Sequence, residues 1–211
     1  MAEIEDKNMR MKDAKFVYSM SYSDEYDLED LKQRRLYIDD EIDEDVIDRI
    51  LYHIMRYNRE DKGLPIESRQ PIILYISTPG GDVVSGFGLI DGIINSITPV
   101  YTVNLAMEYS MGFLIGIAGH KRYAMPHSTF LLHDGQSFAY DSSAKLADRM
   151  DFESHQMEAK VKELVVSHTK ISSDVYDEKR RVEWYMYPEE AKSNGVTDYI
   201  IGIDCKMEDI L

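Results

Sequence analysis

Apolar and polar positions divide the chain into an unpatterned beginning and a regularly alternating remainder. Residues 1–33 are charged, carry Tyr and Met, and hold neither a two-residue nor a 3.6-residue period, which predicts an arm without a packed face of its own. Arg35–Ile38 reads as a first strand. An acid-capped helix follows, with Asp43 as N-cap, Glu44 and Asp45 matched to the helix dipole, and Ile47, Ile50, Leu51 and Ile54 as one apolar stripe. Residues 58–70 are polar, with Gly63 and Pro65, and predict a loop. The run 72–77 (Ile-Ile-Leu-Tyr-Ile-Ser) has the pattern of a strand buried on both faces, broken by Pro79-Gly80-Gly81-Asp82.

Helical spacing resumes over Val83–Ile94, where Gly86, Gly88 and Gly92 lower intrinsic propensity and imply close packing. A second buried strand is predicted at 99–103, a small-residue helix at 110–118, and short strands at 122–124 and Thr129–Leu132. Strands alternating with helices imply an α/β layer with crossover connections. Residues 142–168 form a long helical stretch without Gly or Pro. Leu146, Met150, Met157, Val161 and Leu164 make one apolar stripe on an otherwise wet helix that is too long for so small a domain to cover. Pro188 opens a last short helix and Asn194-Gly195 ends it. No internal repeat or low-complexity tract appears.

Composition narrows the possibilities. The 211 residues suffice for one domain with one core. A net charge of −15, from 39 acids against 24 bases, disfavours a nucleic-acid or anionic-membrane surface, since each needs a basic patch. The lone cysteine, Cys205, excludes an intrachain disulfide and cannot build a zinc site alone. The first residues are acidic where a signal peptide is basic and then apolar, and the run 113–118 is far too short to span a bilayer. The chain reads as cytoplasmic, with no metal or cofactor called for.

Three features could carry chemistry, and each alone has an ordinary structural explanation. Ser110 opens a helix, where free amides and the dipole would favour a nucleophile, yet serine is also a common N-cap. The G-x-S-x-G elbow is not met, because position 108 is Glu. The Pro79-Gly80-Gly81 turn presents amides with no side chain in the way, but lacks the Lys and Ser/Thr of a phosphate loop and is equally an ordinary strand-to-helix turn. His133 ends an apolar strand, as suits a general base or a structural hydrogen-bonder. The acids Asp134, Asp141, Asp148 and Asp151 cluster in sequence without any motif that supports a metal.

Order and context change the balance. The run 74–81 (Leu-Tyr-Ile-Ser-Thr-Pro-Gly-Gly) resembles the strand and Ser-Pro-Gly-Gly turn of ClpP, the proteolytic subunit of the Clp proteases. Ser110-Met111-Gly112 through Ala118-Gly119, then Lys121-Arg122 and Pro126-His127-Ser128, is similar to that family's nucleophile helix and following strand. Leu131-Leu132-His133 stands where the family has its catalytic histidine. Glu189-Glu190-Ala191, Gly195 and Asp198 resemble its C-terminal helix. The likeness covers residues 34–204 in matching order.

The resemblance implies the ClpP/crotonase α/β fold of repeated β-β-α units. It implies Ser110 as nucleophile, His133 as base, and the amides of Gly81 and Met111 as oxyanion hole. The family's third triad member, an aspartate, matches Glu183, and the arginine usually before it is Val182. Glu108 and Tyr109 replace the small residues that precede the family nucleophile and would crowd or reshape the pocket. A handle at about 137–168 would pack two heptameric rings face to face into a tetradecamer. Residues 1–33 would line an axial pore, and 205–211 would be a tail. Hydrophobic loops of an AAA+ unfoldase such as ClpX, ClpA or ClpC would dock between subunits and feed in unfolded protein. The function implied is a serine endopeptidase. A weak or inactive ring subunit that modulates an active paralogue is the alternative, and a crotonase-type acyl-CoA enzyme is a third, which the Ser110–His133 pair counts against.

Overall fold

The computed structural model describes residues 22–135, 145, 148 and 150–210, and the chain divides into two units, residues 1–33 and 34–211. In the first unit, Tyr22–Lys32 is a helix, α1. Its acids lead and Lys32 closes it, which suits the dipole, and it has no apolar stripe to betray it in the sequence. The rest of the expected arm, residues 1–21, lies outside the described residues.

The second unit starts with β1 (Arg35–Ile38). Asp43 Oδ1 accepts the Asp45 amide at 2.9 Å, the expected cap, and the chain winds as a π-turn over Ile47–Leu51 before the α-helix α2 (Tyr52–Glu60). The helix therefore runs on into the stretch expected as loop. Asn58 is the reason: its side chain donates to Ile54 O at 2.7 Å and to Ser96 Oγ at 2.8 Å, so a polar residue fastens α2 to the turn at 96–98. Within the remaining linker Ile66–Ser68 forms a 3-10 turn.

Next come β2 (Ile72–Thr78), α3 (Val83–Ile94) and β3 (Val100–Tyr109). Asp82 caps α3 by accepting the Ser85 amide at 2.7 Å. The glycines of α3 do let neighbours close in, since Leu51 packs directly against the Cα of Gly92. β3 is about twice as long as the expected strand. Its first half pairs with β4 (Lys121–Ala124) and its second half with β5 (Thr129–Leu132), and exposed Leu105 and Ala106 between them break the apolar pattern. Between β3 and β4 sits the short helix α4 (Met111–Ile117), every residue of which is buried.

Of the long predicted helix, Phe152–Met157 is π-wound and α5 is Glu158–His168. Leu164 is buried, Met157 and Val161 are half-buried, and Met150 is exposed, while Leu146 lies outside the described residues. The sequence gives no warning of three further elements: α6 (Ser173–Lys179), β6 (Trp184–Met186) and β7 (Tyr199–Ile200), all short. The helix α7 (Pro188–Ser193) begins and ends as expected.

The sheet order is β1-β2-β3-β4-β7, all parallel, and β5 continues from the far half of β3 to an antiparallel β6. One face of β2 (Ile72, Leu74, Ile76) is fully buried. On the other face the register aligns Tyr37, Tyr75, Val103, Tyr123 and Tyr199 in one row across five strands. Tyr37 stacks on Tyr75 and Tyr123 on Tyr199, each at 5.1 Å between ring centres, and Ile201 and Ile210 of the C-terminal segment cover the middle of the row. Arg122 ties this edge down: it grips Asp198 through Nε (3.0 Å) and Nη2 (2.6 Å) and donates Nη1 to His168 O and Gly195 O. No helix among the described residues is long and apolar enough to cross a membrane.

Candidate active site

Two sharp corners meet at the C-terminal ends of β2 and β3. After β2, Gly80 and Gly81 take φ of +107° and +145°, values at which any side chain is strained. Gly81 bridges to Ile42, with Ile42 N donating to Gly80 O at 2.8 Å and Asp82 N to Ile42 O at 2.7 Å. A Cβ at Gly81 would run into the Ile42 carbonyl, and one at Gly80 would lie 2.7 Å from the Cβ of Ser110. Only glycine fits either place.

After β3, Ser110 has φ +54° and ψ −117°, one of two described non-glycine residues at positive φ. Such backbone costs on the order of 1–3 kcal/mol and persists where the surroundings over-determine it. Here the Ser110 amide donates to Leu131 O at 3.0 Å and its carbonyl accepts the Leu114 amide at 3.3 Å, so the corner is held by β5 and by α4. Ser110 does not act as a cap, because its side chain accepts no hydrogen bond from the helix. The common structural use of a serine at this place is thus not the one made of it. The amides of Gly81 and Met111, on either side of it, donate to no acceptor among the described residues.

His133 follows β5, and Glu183 precedes β6. These strands pair antiparallel as Phe130↔Met186, Leu131↔Tyr185 and Leu132↔Trp184, so His133 and Glu183 each lie one residue beyond the last pair, at the same end of the ladder. Tyr109 on β3 is in register with Leu131, two positions before His133, which brings the end of β3 alongside the end of β5. Ser110, His133 and Glu183 therefore come from three adjacent strand ends. No hydrogen bond joins them in this state among the described residues. Glu183 is exposed and its Oε2 accepts the Tyr185 hydroxyl at 3.2 Å.

The residues before Ser110 part company. Glu108, expected to crowd the pocket, instead faces the core: it is 3 % exposed and its carboxylate packs on the Cα of Gly116 in α4. Burial pushes its pKa well above the ordinary carboxylate value, opposed by Arg122, so burial favours the neutral side chain. Tyr109 shapes the rim. Its hydroxyl shares a 2.8 Å hydrogen bond with Thr129 Oγ1 and its ring meets Tyr185 edge-on at 5.7 Å.

Two residues that linear spacing had not marked belong to this region. Tyr185, on the unforeseen β6, holds the Glu183 carboxylate. Arg180 holds Asp134, with the Asp134 amide donating to Arg180 O at 2.6 Å and Arg180 Nη1 donating to Asp134 Oδ1 at 3.0 Å. Their partners are 2 and 46 residues away, and nothing in the pattern of the chain links 180 to 134. A separate hollow of about 600 Å³, lined by His120, Arg122, His168 and Lys170 among others, includes none of the site residues. No group of three His, Cys, Asp or Glu side chains converges on a metal position among the described residues.

The chain is similar to known proteins over most of its length. A proteolytic subunit of the ATP-dependent Clp protease from Angiopteris evecta is 28% identical over 171 residues, covering 80% of this chain and 84% of that protein. Proteolytic subunit 2 from Corynebacterium efficiens is 26% identical over 174 residues (81% and 83%), and that from Nocardia farcinica 28% over 174 (81% and 82%). The family model described as Clp protease matches residues 21–204. The chain, a mixed α/β protein with a mainly parallel sheet and a serine at a strained strand-to-helix corner, is a member of the Clp protease family.

Proposed function

We propose that the chain is a serine-type endopeptidase subunit of a Clp-type ATP-dependent protease, with Ser110 as nucleophile, His133 as general base and Glu183 as the acid that orients it. The observation that carries this is the Ser110 corner: a strained backbone that leaves the side chain uncommitted between two unused amides. In the first step Ser110 Oγ attacks a peptide carbonyl as its proton passes to His133. The amides of Gly81 and Met111 receive the oxyanion. Collapse expels the amine with the proton from His133, leaving an acyl-serine, and water activated by His133 then releases the acid.

The His133–Glu183 contact belongs to the assembled, substrate-bound particle in this proposal, since catalytic hydrogen bonds commonly tighten only there. The helix leading into α5 would then pack ring on ring into a tetradecamer. An AAA+ unfoldase would deliver unfolded chains, residues 1–33 would line the axial pore of the ring, and the compartment would be the cytoplasm. Covalent labelling by a fluorophosphonate is the direct test. Wild type is expected to label and Ser110→Ala not to; absence of wild-type labelling in every assembly state refutes the proposal.

One observation favours a second reading, in which the subunit is catalytically weak and tunes an active paralogue: Glu183 is engaged by Tyr185 and not by His133. Rings that assemble without peptidase activity, yet alter the activity of an active Clp subunit when mixed with it, would establish that reading instead.

A further inference from the structure

Two anchors bracket the position of His133. On one side Leu132 is paired with Trp184 in the β5–β6 ladder. On the other, Asp134 is joined to Arg180 twice, through the Asp134 amide to Arg180 O (2.6 Å) and through Arg180 Nη1 to Asp134 Oδ1 (3.0 Å). A single residue, His133, thus spans what three residues, 181–183, span opposite. The extra length bulges, and Glu183 stands at its end next to the Trp184 anchor. Both ends of the bulge are fixed by partners that flank His133.

The Arg180 end is itself braced. Arg180 Nη1 lies 2.9 Å from Glu158 Oε1 on α5, and the same oxygen accepts the Tyr176 hydroxyl at 2.9 Å. Tyr176 is 2 % exposed and belongs to α6. Arg180 and Glu158 side chains are each 22% exposed, so the guanidinium is shared between two carboxylates in a half-buried place. Breaking this clamp loosens the side away from the Leu132–Trp184 pair, where residues 134 and 180–182 flank His133 and Glu183, without removing any atom that would touch a substrate.

We propose that Arg180 is a positioning residue, setting the spacing between His133 and the Glu183-bearing bulge by clamping Asp134 and bracing it on Glu158. This rests on the peptidase reading above, with Arg180 acting through His133 and Glu183.

The test compares full-length, assembled wild type, Arg180→Gln and Arg180→Lys on a short fluorogenic peptide that needs no unfoldase. Arg180→Gln is expected to lower kcat by about ten- to a hundredfold with KM within about twofold, the cost of a misplaced catalytic group. Arg180→Lys, which keeps the charge, is expected to recover part of that loss. Trp184 serves as an activity-independent reporter, because Lys179, the chain neighbour of Arg180, holds its Nζ 5.7 Å from the ring. Its emission is expected to shift in Arg180→Gln. A kcat within twofold of wild type, or a loss confined to KM, overturns the proposal. Should Arg180→Gln not assemble, Asp134→Asn, which leaves Arg180 paired with Glu158, is expected to give a smaller loss in kcat, and an unchanged kcat overturns it equally. If wild type neither cleaves nor labels, the peptidase reading falls on its own, and unchanged Trp184 emission in Arg180→Gln then overturns the clamp.

Discussion

Replacing Glu108 by glutamine keeps the volume beneath α4 and removes the carboxyl that can ionise. The wild-type carboxyl is fully buried against Gly116, with an ordinary value of 4.5 raised well upward by desolvation. Arg122 acts in the other direction, but its donors are taken by Asp198, His168 and Gly195. Above pH 4.5 the unfolded chain gives up this proton while the folded chain keeps it, so the folded state binds more protons and stability falls as pH rises. Linkage fixes the slope at about 1.36 kcal/mol per pH unit for one proton, until pH reaches the raised folded value. Glutamine has no such slope. The stability of Glu108→Gln relative to wild type should therefore grow as pH rises over the interval from 4.5 to the raised folded value, by at most about 1.4 kcal/mol for each pH unit, or about 3–5 °C in Tm for a chain of this length. Thermal and urea melts of both proteins, at one protomer concentration so that assembly contributes equally, measure it. A difference that stays flat over that interval refutes the neutral buried carboxyl. A difference of opposite sign would mean that Glu108 is ionised in the fold and held by Arg122.

Two further substitutions probe the corner and the frame. Gly81→Ala puts a methyl group against the Ile42 carbonyl at φ +145° and turns the adjacent amide away; fluorophosphonate labelling should slow by about 10²-fold, the usual cost of one oxyanion donor, and an unchanged rate would remove the Gly81 amide from the site. Asp61→Ala leaves the Arg34 guanidinium, bound to both Asp61 oxygens at 2.6 and 2.8 Å, without its buried partner, and should cost about 3–5 kcal/mol in denaturant melts, towards the lower end because Gln70 O still accepts from Arg34 at 2.9 Å. Arg34 and Thr98 hold the Asp61 pKa down, so its contribution is present above the ordinary 3.8 and is lost as pH falls through the depressed folded value.

The strands and helices of the first half were readable because burial there is nearly complete on both sides. The run 72–76 leaves no polar position to blur it, and β2 follows it through to Thr78; Val83–Ile94 was bounded by Asp82 and by its own periodicity. The errors fall where polar side chains serve the interior. Asn58 is polar and helical because its amide completes a turn around residue 96, and Glu108 sits inside a strand with its carboxyl turned to the core, where burial favours the neutral form. The elements β6 and β7 were missed for another reason. Three and two residues are too few for a period, and each exists only because a neighbouring strand supplies its ladder.

Composition, the order of the Gly80-Gly81, Ser110 and His133 signals, and the likeness spanning 34–204 were enough to specify the α/β class, the family and the identity of the corner residues. They could do so because a glycine at positive φ and a buried strand are local demands, met by the residues themselves. The strained corner at Ser110, the β5–β6 register that brings His133 and Glu183 to one end of a ladder, the inward turn of Glu108 and the Arg180 clamp on Asp134 all depend on contacts between distant segments, up to 46 residues apart in the last case. Such contacts carry no signature in one chain's periodicity. They come from how strand ends are brought together, and the Ser110 corner is strained only because β5 and α4 hold it from both sides.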